Sequence, residues 1–205
     1  MKPITYWLSI WIFCGLAAPL WAAPAPQSAE ELLSRLEARA TQLREYVVVG
    51  EGEAGDKQSR FKLYFKQPDL VRIDTGRGQV TVELNGEIRG RLGKGPLGKV
   101  SQKIGRNDPR LKDAEGIPFW DSSFAATLGR IQRQIKARAT AALTASPGMF
   151  NLDIRSGQTR WVYVIDPDSL FLRENSRWEN GKQVEVTRYS SFQPNVGLET
   201  RFFQF

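Results

Sequence analysis

The residue types that most often carry catalysis are nearly missing from this chain. Its 205 residues include no His and one Cys, Cys14. His is the commonest general base and metal ligand, and a thiolate is the usual soft ligand and a strong nucleophile. Any acid–base chemistry would therefore depend on carboxylates, and we expect neither a metal site nor a cofactor.

Carboxylates are grouped in one stretch, at Asp108, Asp113, Glu115 and Asp121. They lie in or beside a segment rich in Gly and Lys, and their spacing matches no acid–base pair. Solvated charges on a surface loop explain them better than catalysis does. We therefore expect that the protein is not an enzyme.

The same segment contains a run with the spacing of a phosphate-binding loop, from Gly93 to Lys99 (GKGPLGK). Val100 follows it, where such a loop needs a Ser or Thr to hold magnesium. The run also follows a hairpin pattern rather than linking a strand to a helix. A surface loop between Gly93 and Pro118 is the preferred interpretation.

The N-terminus has the pattern of an export signal. Lys2 precedes an apolar run from Trp7 to Leu20, and small residues follow it. Cleavage after Ala22 would leave a mature domain of residues 23–205 in the periplasm. The alternative is an uncleaved membrane anchor, but the apolar run is shorter than the ~20 residues that a span needs. Cys14 lies inside that run and is interpreted as part of the signal peptide 1–22.

Two amphipathic helices are predicted. The first extends from about Ser28 to Glu45 and begins with the capping box Ser28–Glu31. The second begins at Asp121 or Ser122. The apolar positions of both helices recur at helical spacing; they are Leu32, Leu33, Leu36, Ala40 and Leu43 in the first helix, and Phe124, Leu128, Ile131, Ile135 and Ala139 in the second.

The second helix also carries four positive charges, at Arg130, Arg133, Lys136 and Arg138. A basic amphipathic helix of this kind can lie on an anionic membrane, and these four residues are the predicted membrane-facing edge. The alternative is that the apolar stripe packs on the protein and the charges are solvated.

Most of the remaining chain alternates between apolar and polar residues, as antiparallel strands with one covered face do. Asn85-Gly86 and Asn180-Gly181 are hairpin signals. The fold class predicted is α+β, with a single strongly curved antiparallel sheet, an unclosed half-barrel, covered by an N-terminal helix and a crossover lid helix. Residues that share the apolar strand faces form the predicted groove; they are Phe61, Leu63, Phe65, Val80, Val82 and Leu84.

The order of these elements, together with three local motifs, resembles the LolA-like superfamily of bacterial periplasmic carriers of outer-membrane lipoproteins. The motifs are Phe65 to Asp74 (FKQPDLVRID), Ile165 to Leu170 (IDPDSL), and Tyr189 to Leu198 (YSSFQPNVGL) with a Phe-containing tail. The resemblance spans nearly the whole mature chain. It implies a half-barrel whose apolar face holds acyl chains beneath a helical lid; the lid residues expected are Phe119, Trp120, Phe124, Leu128 and Ile131.

One departure from the superfamily concerns the residue before Pro68. The lipoprotein carriers have an Arg there that helps to hold the lid, and this chain has Gln67. Two functions therefore remain open: a periplasmic lipid or lipoprotein carrier, and an envelope sensor or protein-interaction module on the same fold without transfer activity. The partners expected are acyl chains of a lipid or lipoprotein, an anionic membrane surface and an envelope protein. We expect that the protein binds no nucleic acid and that it is a monomer.

Overall fold

The computed structural model describes residues 25–75, 78–82, 86–92, 100–112, 118–137 and 139–204. The predicted signal peptide 1–22, residues 93–99 and 113–117 of the Gly- and Lys-rich loop (with Asp113 and Glu115), Leu84 and Arg138 lie outside these residues. The helices are α1 (Ala29–Gln42) and α2 (Phe124–Lys136). No helix in the described ranges is long and apolar enough to cross a membrane.

The described strands form one antiparallel sheet. In chain order they are β1 (Glu45–Ala54), β2 (Lys57–Lys66), β3 (Leu70–Thr75), β4 (Gly78–Val82), β5 (Ile88–Leu92), β6 (Gln102–Lys103), β7 (Thr140–Ser146), β8 (Met149–Ser156), β9 (Thr159–Ile165), β10 (Leu172–Glu179) and β11 (Lys182–Pro194). Their order across the sheet is β6-β5-β4-β3-β2-β1-β11-β10-β9-β8-β7. Within the described ranges β6 and β7 are its two edges and do not pair with each other, so the predicted unclosed α+β half-barrel is confirmed.

Local signals explain where α1 begins and ends. The Ser28 hydroxyl accepts a hydrogen bond from the Glu31 N–H at 3.1 Å, and a Glu31 carboxylate oxygen accepts the Gln27 N–H at 2.8 Å. The predicted capping box therefore satisfies two backbone donors before the helix starts. The helix ends at Gln42, earlier than predicted, because β1 begins at Glu45 and needs an extended chain.

The start of α2 was predicted one or two residues too early. Phe119–Ser122 form a 3-10 turn, and Ser123 caps the helix by accepting the Ala126 N–H at 3.2 Å. Asp121 and Ser122 belong to that turn and do not cap α2. Two consecutive serines offer alternative caps, and only packing of the turn decides between them.

One cluster of buried side chains joins both helices to the sheet. From α1 it contains Leu32 and Leu36, which are completely or almost completely buried, and from α2 it contains Ile131. The sheet contributes residues from both halves, among them Leu63 on β2 and Leu152 on β8. The helices therefore cover one face of the sheet across most of its width.

The opposite face is partly covered by the C-terminal segment. A 3-10 turn at Thr200–Phe203 lies against β3, and Phe203 is 1% exposed. The Arg72 guanidinium donates to the Phe202 carbonyl at 3.0 Å and lies 4.4 Å from the centre of the Phe202 ring. The chain end is thereby fixed to the sheet by both packing and a charged hydrogen bond.

Candidate functional site

The predicted groove and the predicted lid come together in one packed core. Leu63, Phe65 and Val80 are buried, and Phe61 is half-buried against the same cluster. The lid residues Phe119, Phe124, Leu128 and Ile131 are buried there too, and Trp120 is half-buried against it. Only the backbone of Val82 is described, in β4, and Leu84 lies outside the described residues. These side chains pack together between the helices and the sheet, and their role in holding a ligand stays a prediction.

An apolar cavity does occur at one end of this core. Its volume is about 300 Å³. It lies between the end of α1, the turn joining β2 to β3, and the first turn of α2; its walls are Ala40, Leu43, Tyr46, Phe65, Gln67, Pro68, Phe124 and Ala125. Of the residues predicted for the groove and lid, Phe65 and Phe124 belong to it. None of the lining side chains is charged.

Tyr46 joins β1 to the first turn of α2 at the wall of this cavity. Its ring stacks on Phe65 with centroids 4.9 Å apart, and its hydroxyl oxygen accepts the Phe124 N–H at 2.8 Å. The residue is 2% exposed, and burial raises the pKa of the Tyr46 hydroxyl well above its ordinary value. The hydroxyl therefore stays neutral and keeps its proton.

Gln67 and Pro68 form another part of the wall, joined by a cis peptide bond. The Gln67 N–H donates to the Arg44 carbonyl at 2.7 Å, which ties this turn to the start of β1. The side-chain amide of Gln67 makes no hydrogen bond within the described residues. Gln67 thus lies at the cavity wall and supplies a neutral amide there.

The sequence did not indicate most of the cavity. Tyr46 begins a β-branched run and has the sequence pattern of an ordinary strand residue. Ala40 and Ala125 are small helix residues with no distinguishing pattern. The aromatic packing behind Tyr46 was also missed, where Phe171 stacks on Phe192 with centroids 3.9 Å apart. Tyr46 and Phe192 meet through the pairing of β1 with β11, which joins distant parts of the chain.

The four basic residues predicted to face a membrane have different surroundings. Arg130 donates to the Asp121 carbonyl and to the Thr127 hydroxyl, so it is bound to the preceding 3-10 turn and to the first half of α2. Arg133 and Lys136 are exposed and have no ion pair within the described residues. Arg138 lies outside them. Membrane docking of this edge stays a prediction.

The grouped carboxylates do not converge on a site in the parts of the chain that are described. Asp108 is half-buried and Asp121 is exposed, and Asp113 and Glu115 are not described. No group of three or more His, Cys, Asp or Glu residues within the described ranges is placed to hold a metal ion.

Several solved structures are similar to this fold at low sequence identity. The crystal structure of MucB in complex with MucA(peri) has 13% identity and a TM-score of 0.50, with 86% of this chain and 59% of MucB covered. A DUF1329 family protein from Desulfovibrio piger has 13% identity and a TM-score of 0.42, with 85% and 95% covered. This chain thus spans about 59% of the MucB chain. Such likeness describes the fold alone.

No protein-family model matches the sequence. No curated protein matches it either.

Proposed function

We propose that this protein is a periplasmic carrier that binds the acyl chain of a lipid or lipoprotein at the cavity beside Tyr46. The observation that supports this most directly is the wall of that cavity, which is apolar except for Tyr46 and Gln67 and contains no charged side chain. A pocket with mostly apolar walls and a few polar groups is typical of small-molecule sites. An acyl chain joined to a polar carbonyl has the same pattern.

The hydrophobic effect is large enough for such a role. Removing a 16-carbon chain from water is worth roughly 12 kcal/mol before costs, at about 0.8 kcal/mol per CH₂. The cavity, at about 300 Å³, is at the lower limit of ligand pockets. It would hold part of such a chain, and a longer insertion would require α1 and α2 to separate from the sheet. The lid residues Phe124 and Leu128 would then contact the ligand.

The role proposed is binding without catalysis. The sequence contains no His, and its single Cys belongs to the predicted signal peptide. Export by that signal would place the mature chain where outer-membrane lipids and lipoproteins pass. Loss of Lys2 with the signal would leave the mature chain basic, which favours contact with anionic surfaces.

Native mass spectrometry of protein purified from its own cell envelope tests the proposal directly. A retained mass of the size of a lipid would support it. In parallel, a fluorescent fatty-acyl probe is titrated into Ala40→Trp, which fills the cavity from α1, and into Ala38→Trp, an exposed position on the same helix outside the cavity. We expect weaker probe binding only for Ala40→Trp. No retained lipid and equal probe binding by both folded variants would overturn the proposal.

The second candidate is an envelope sensor or protein-interaction module that transfers nothing. The specific observation in its favour is the fold likeness to MucB, whose structure was solved with MucA(peri) bound. A protein retained on the purified chain at fixed stoichiometry, with an empty cavity, would favour this candidate over the carrier.

A further inference from the structure

The edge strand β7 is long and regular. It pairs with β8 over seven consecutive residue pairs, from Thr140↔Arg155 to Ser146↔Met149, with no bulge. Its other edge forms no backbone hydrogen bond with any described residue outside that ladder. The alternate backbone N–H and C=O groups of this edge therefore point away from the sheet without partners in the described structure.

Proteins usually protect such an edge. Helix α1 contacts β7 but forms no backbone hydrogen bond with it, and the strand itself lacks the usual protective features. Its sequence, Thr-Ala-Ala-Leu-Thr-Ala-Ser, contains no charged residue and no Pro. Charges, prolines, bulges and very short strands are what normally prevent a further strand from pairing. The opposite edge strand, β6, has two of these protective features, because it is only two residues long and one of the two is the charged Lys103. The contrast indicates that β7 is an edge on which a strand can add.

Unpaired positive charges lie beside one end of β7. Lys136 ends α2 and Thr140 begins β7, so their Cα atoms are separated by about 14 Å at most. Arg133 lies one helical turn earlier. Both side chains are exposed and have no acidic partner among the described residues. The adjacent strand β8 has Arg155 opposite Thr140 and Asp153 opposite Ala142, and these two side chains pair with each other. A strand that adds to β7 would thus meet a net positive charge at the Thr140 end.

We propose that β7 is a docking edge for an extended acidic peptide segment of a partner protein. The segment adds antiparallel to β7, as neighbouring strands of this sheet do, and carries its acidic residues towards its C-terminal end, beside Arg133 and Lys136. Main-chain hydrogen bonds supply affinity and the charge pairing sets direction. A second copy of this chain fits less well, because each copy carries a formal charge of +7 and β7 offers no acidic residue to its mate.

The test uses the mature chain and a labelled synthetic peptide of alternating Val and Thr that ends in Glu residues at its C-terminus. One matched peptide has the Glu residues at its N-terminus, and another has every second backbone amide methylated. Fluorescence anisotropy measures binding, and hydrogen exchange read by mass spectrometry measures protection of Thr140–Ser146. The protein variants are Arg133→Glu with Lys136→Glu, and the control Lys57→Glu with Lys182→Glu, which changes the net charge equally at exposed strand ends elsewhere.

We expect the C-terminal Glu peptide to bind and to slow exchange in β7. Binding should weaken about tenfold in the Arg133/Lys136 variant and with added salt, and be nearly unchanged in the Lys57/Lys182 control. Methylation should abolish it. Binding without protection of β7, or equal loss in both charge variants, would overturn the proposal.

Two other occupants are distinguished in the same experiment. A concentration-dependent dimer that protects β7 without peptide would identify a second copy as the occupant. Capture of the protein by vesicles of phosphatidylglycerol and phosphatidylcholine, lost in the Arg133/Lys136 variant while the peptide does not bind, would identify a membrane. Either outcome overturns the peptide proposal.

Discussion

The hydroxyl oxygen of Tyr46 accepts the backbone N–H of Phe124 at 2.8 Å. This bond joins the first part of β1 to the first residue of α2, across the wall of the cavity. The backbone N–H of a helix's first residue has no partner within the helix, so Tyr46 satisfies a donor that would otherwise be buried unpaired.

Replacing Tyr46 with Phe should therefore loosen the start of α2. The aromatic stack on Phe65 is retained, but the Phe124 N–H loses its acceptor, which should lower the free energy of unfolding by about 1–3 kcal/mol. Chemical denaturation measures this change, and hydrogen exchange should rise at the N-terminal turn of α2.

Tyr64→Phe is the matched control for that variant. Tyr64 is half-buried and its hydroxyl makes no hydrogen bond within the described residues. Its loss should change the free energy of unfolding by less than about 0.5 kcal/mol. Equal effects of the two substitutions would show that the Tyr46 hydroxyl does not hold the helix.

The turn between β9 and β10 should make stability depend on pH through Asp166. Burial alone would raise the pKa of this carboxyl, but hydrogen bonds from the Ser169 backbone, the Arg173 guanidinium and the Ser169 hydroxyl outweigh burial and hold the pKa below its ordinary value. The unfolded chain therefore takes up the proton more readily. The stabilisation is complete above the unfolded pKa of about 4 and is lost as pH falls through the lower folded value.

Asp166→Asn should remove this contribution. At neutral pH we expect the free energy of unfolding of the variant to be about 1.5–3 kcal/mol lower than that of the wild type, because the hydrogen bonds to a charged acceptor are weakened. The difference should shrink as pH falls below about 4. Asp168→Asn, an exposed position in the same turn, should show little difference at either pH. If the difference in free energy of unfolding between Asp166→Asn and the wild type stayed constant from neutral pH to below about pH 4, Asp166 would not be the source of the pH dependence.

The sequence predicted the fold better than the site, and the reason is physical. Alternation of apolar and polar residues identifies which face of a strand is covered, and Leu63, Phe65 and Val80 lie in the buried cluster beneath the helices. Alternation contains no information on how completely helix side chains fill that space. Leu128 and Ile131, which were expected to cover the groove as lid residues, pack in the same cluster, and acyl binding by these residues stays a prediction.

The cavity could not be predicted because its walls come from contacts between distant segments. Ala40, Tyr46, Pro68 and Ala125 lie far apart along the chain, and each is ordinary in its local pattern. The position of Gln67 was the one indication, since the resemblance to lipoprotein carriers singled it out. That comparison identified the location without showing that a cavity lies there.

Gly50 on β1 should be required by close packing opposite a bulge in β11, where Ser190 is the extra residue. The pairing of β1 with β11 shifts register between Val49 and Gly50, and a Cβ atom on Gly50 would lie 2.9 Å from the Arg188 carbonyl oxygen and 2.7 Å from the Phe61 ring. Gly50→Ala should lower the free energy of unfolding by about 1–3 kcal/mol through overpacking. Thermal or chemical unfolding measures the loss.

Gly52→Ala, two residues along the same strand, is the control. A Cβ atom there would meet the Ser59 hydroxyl at 3.3 Å, and that side chain can rotate away. We expect a change within about 0.5 kcal/mol, since alanine also restricts the unfolded chain. A loss at Gly52 as large as that at Gly50 would show that the close approach at the bulge is not the cause.

Gln67 should determine whether the cavity accepts a charged ligand. The lining contains no charged side chain, so an ionised carboxylate placed there would lack a counter-ion. A carbonyl of an ester or amide needs only the neutral donors of Tyr46 and Gln67. Gln67 is exposed at the mouth of the cavity, so a carboxylate there keeps part of its hydration. The wild type should therefore bind a fatty-acid methyl ester somewhat more tightly than the free acid of the same length at neutral pH, because partial dehydration of an unpaired charge is unfavourable.

Gln67→Arg should reverse this preference by placing a guanidinium at the wall, where it can pair with a carboxylate. Competition of both ligands against a fluorescent acyl probe measures the ratio of affinities, and we expect it to shift about two- to fivefold towards the acid, because the ion pair would be exposed. Gln67→Met, which keeps the length without charge, should retain the preference for the ester. An unchanged ratio in Gln67→Arg would exclude Gln67 as the selectivity residue, whereas failure of the wild type to bind either ligand would count against the acyl carrier itself.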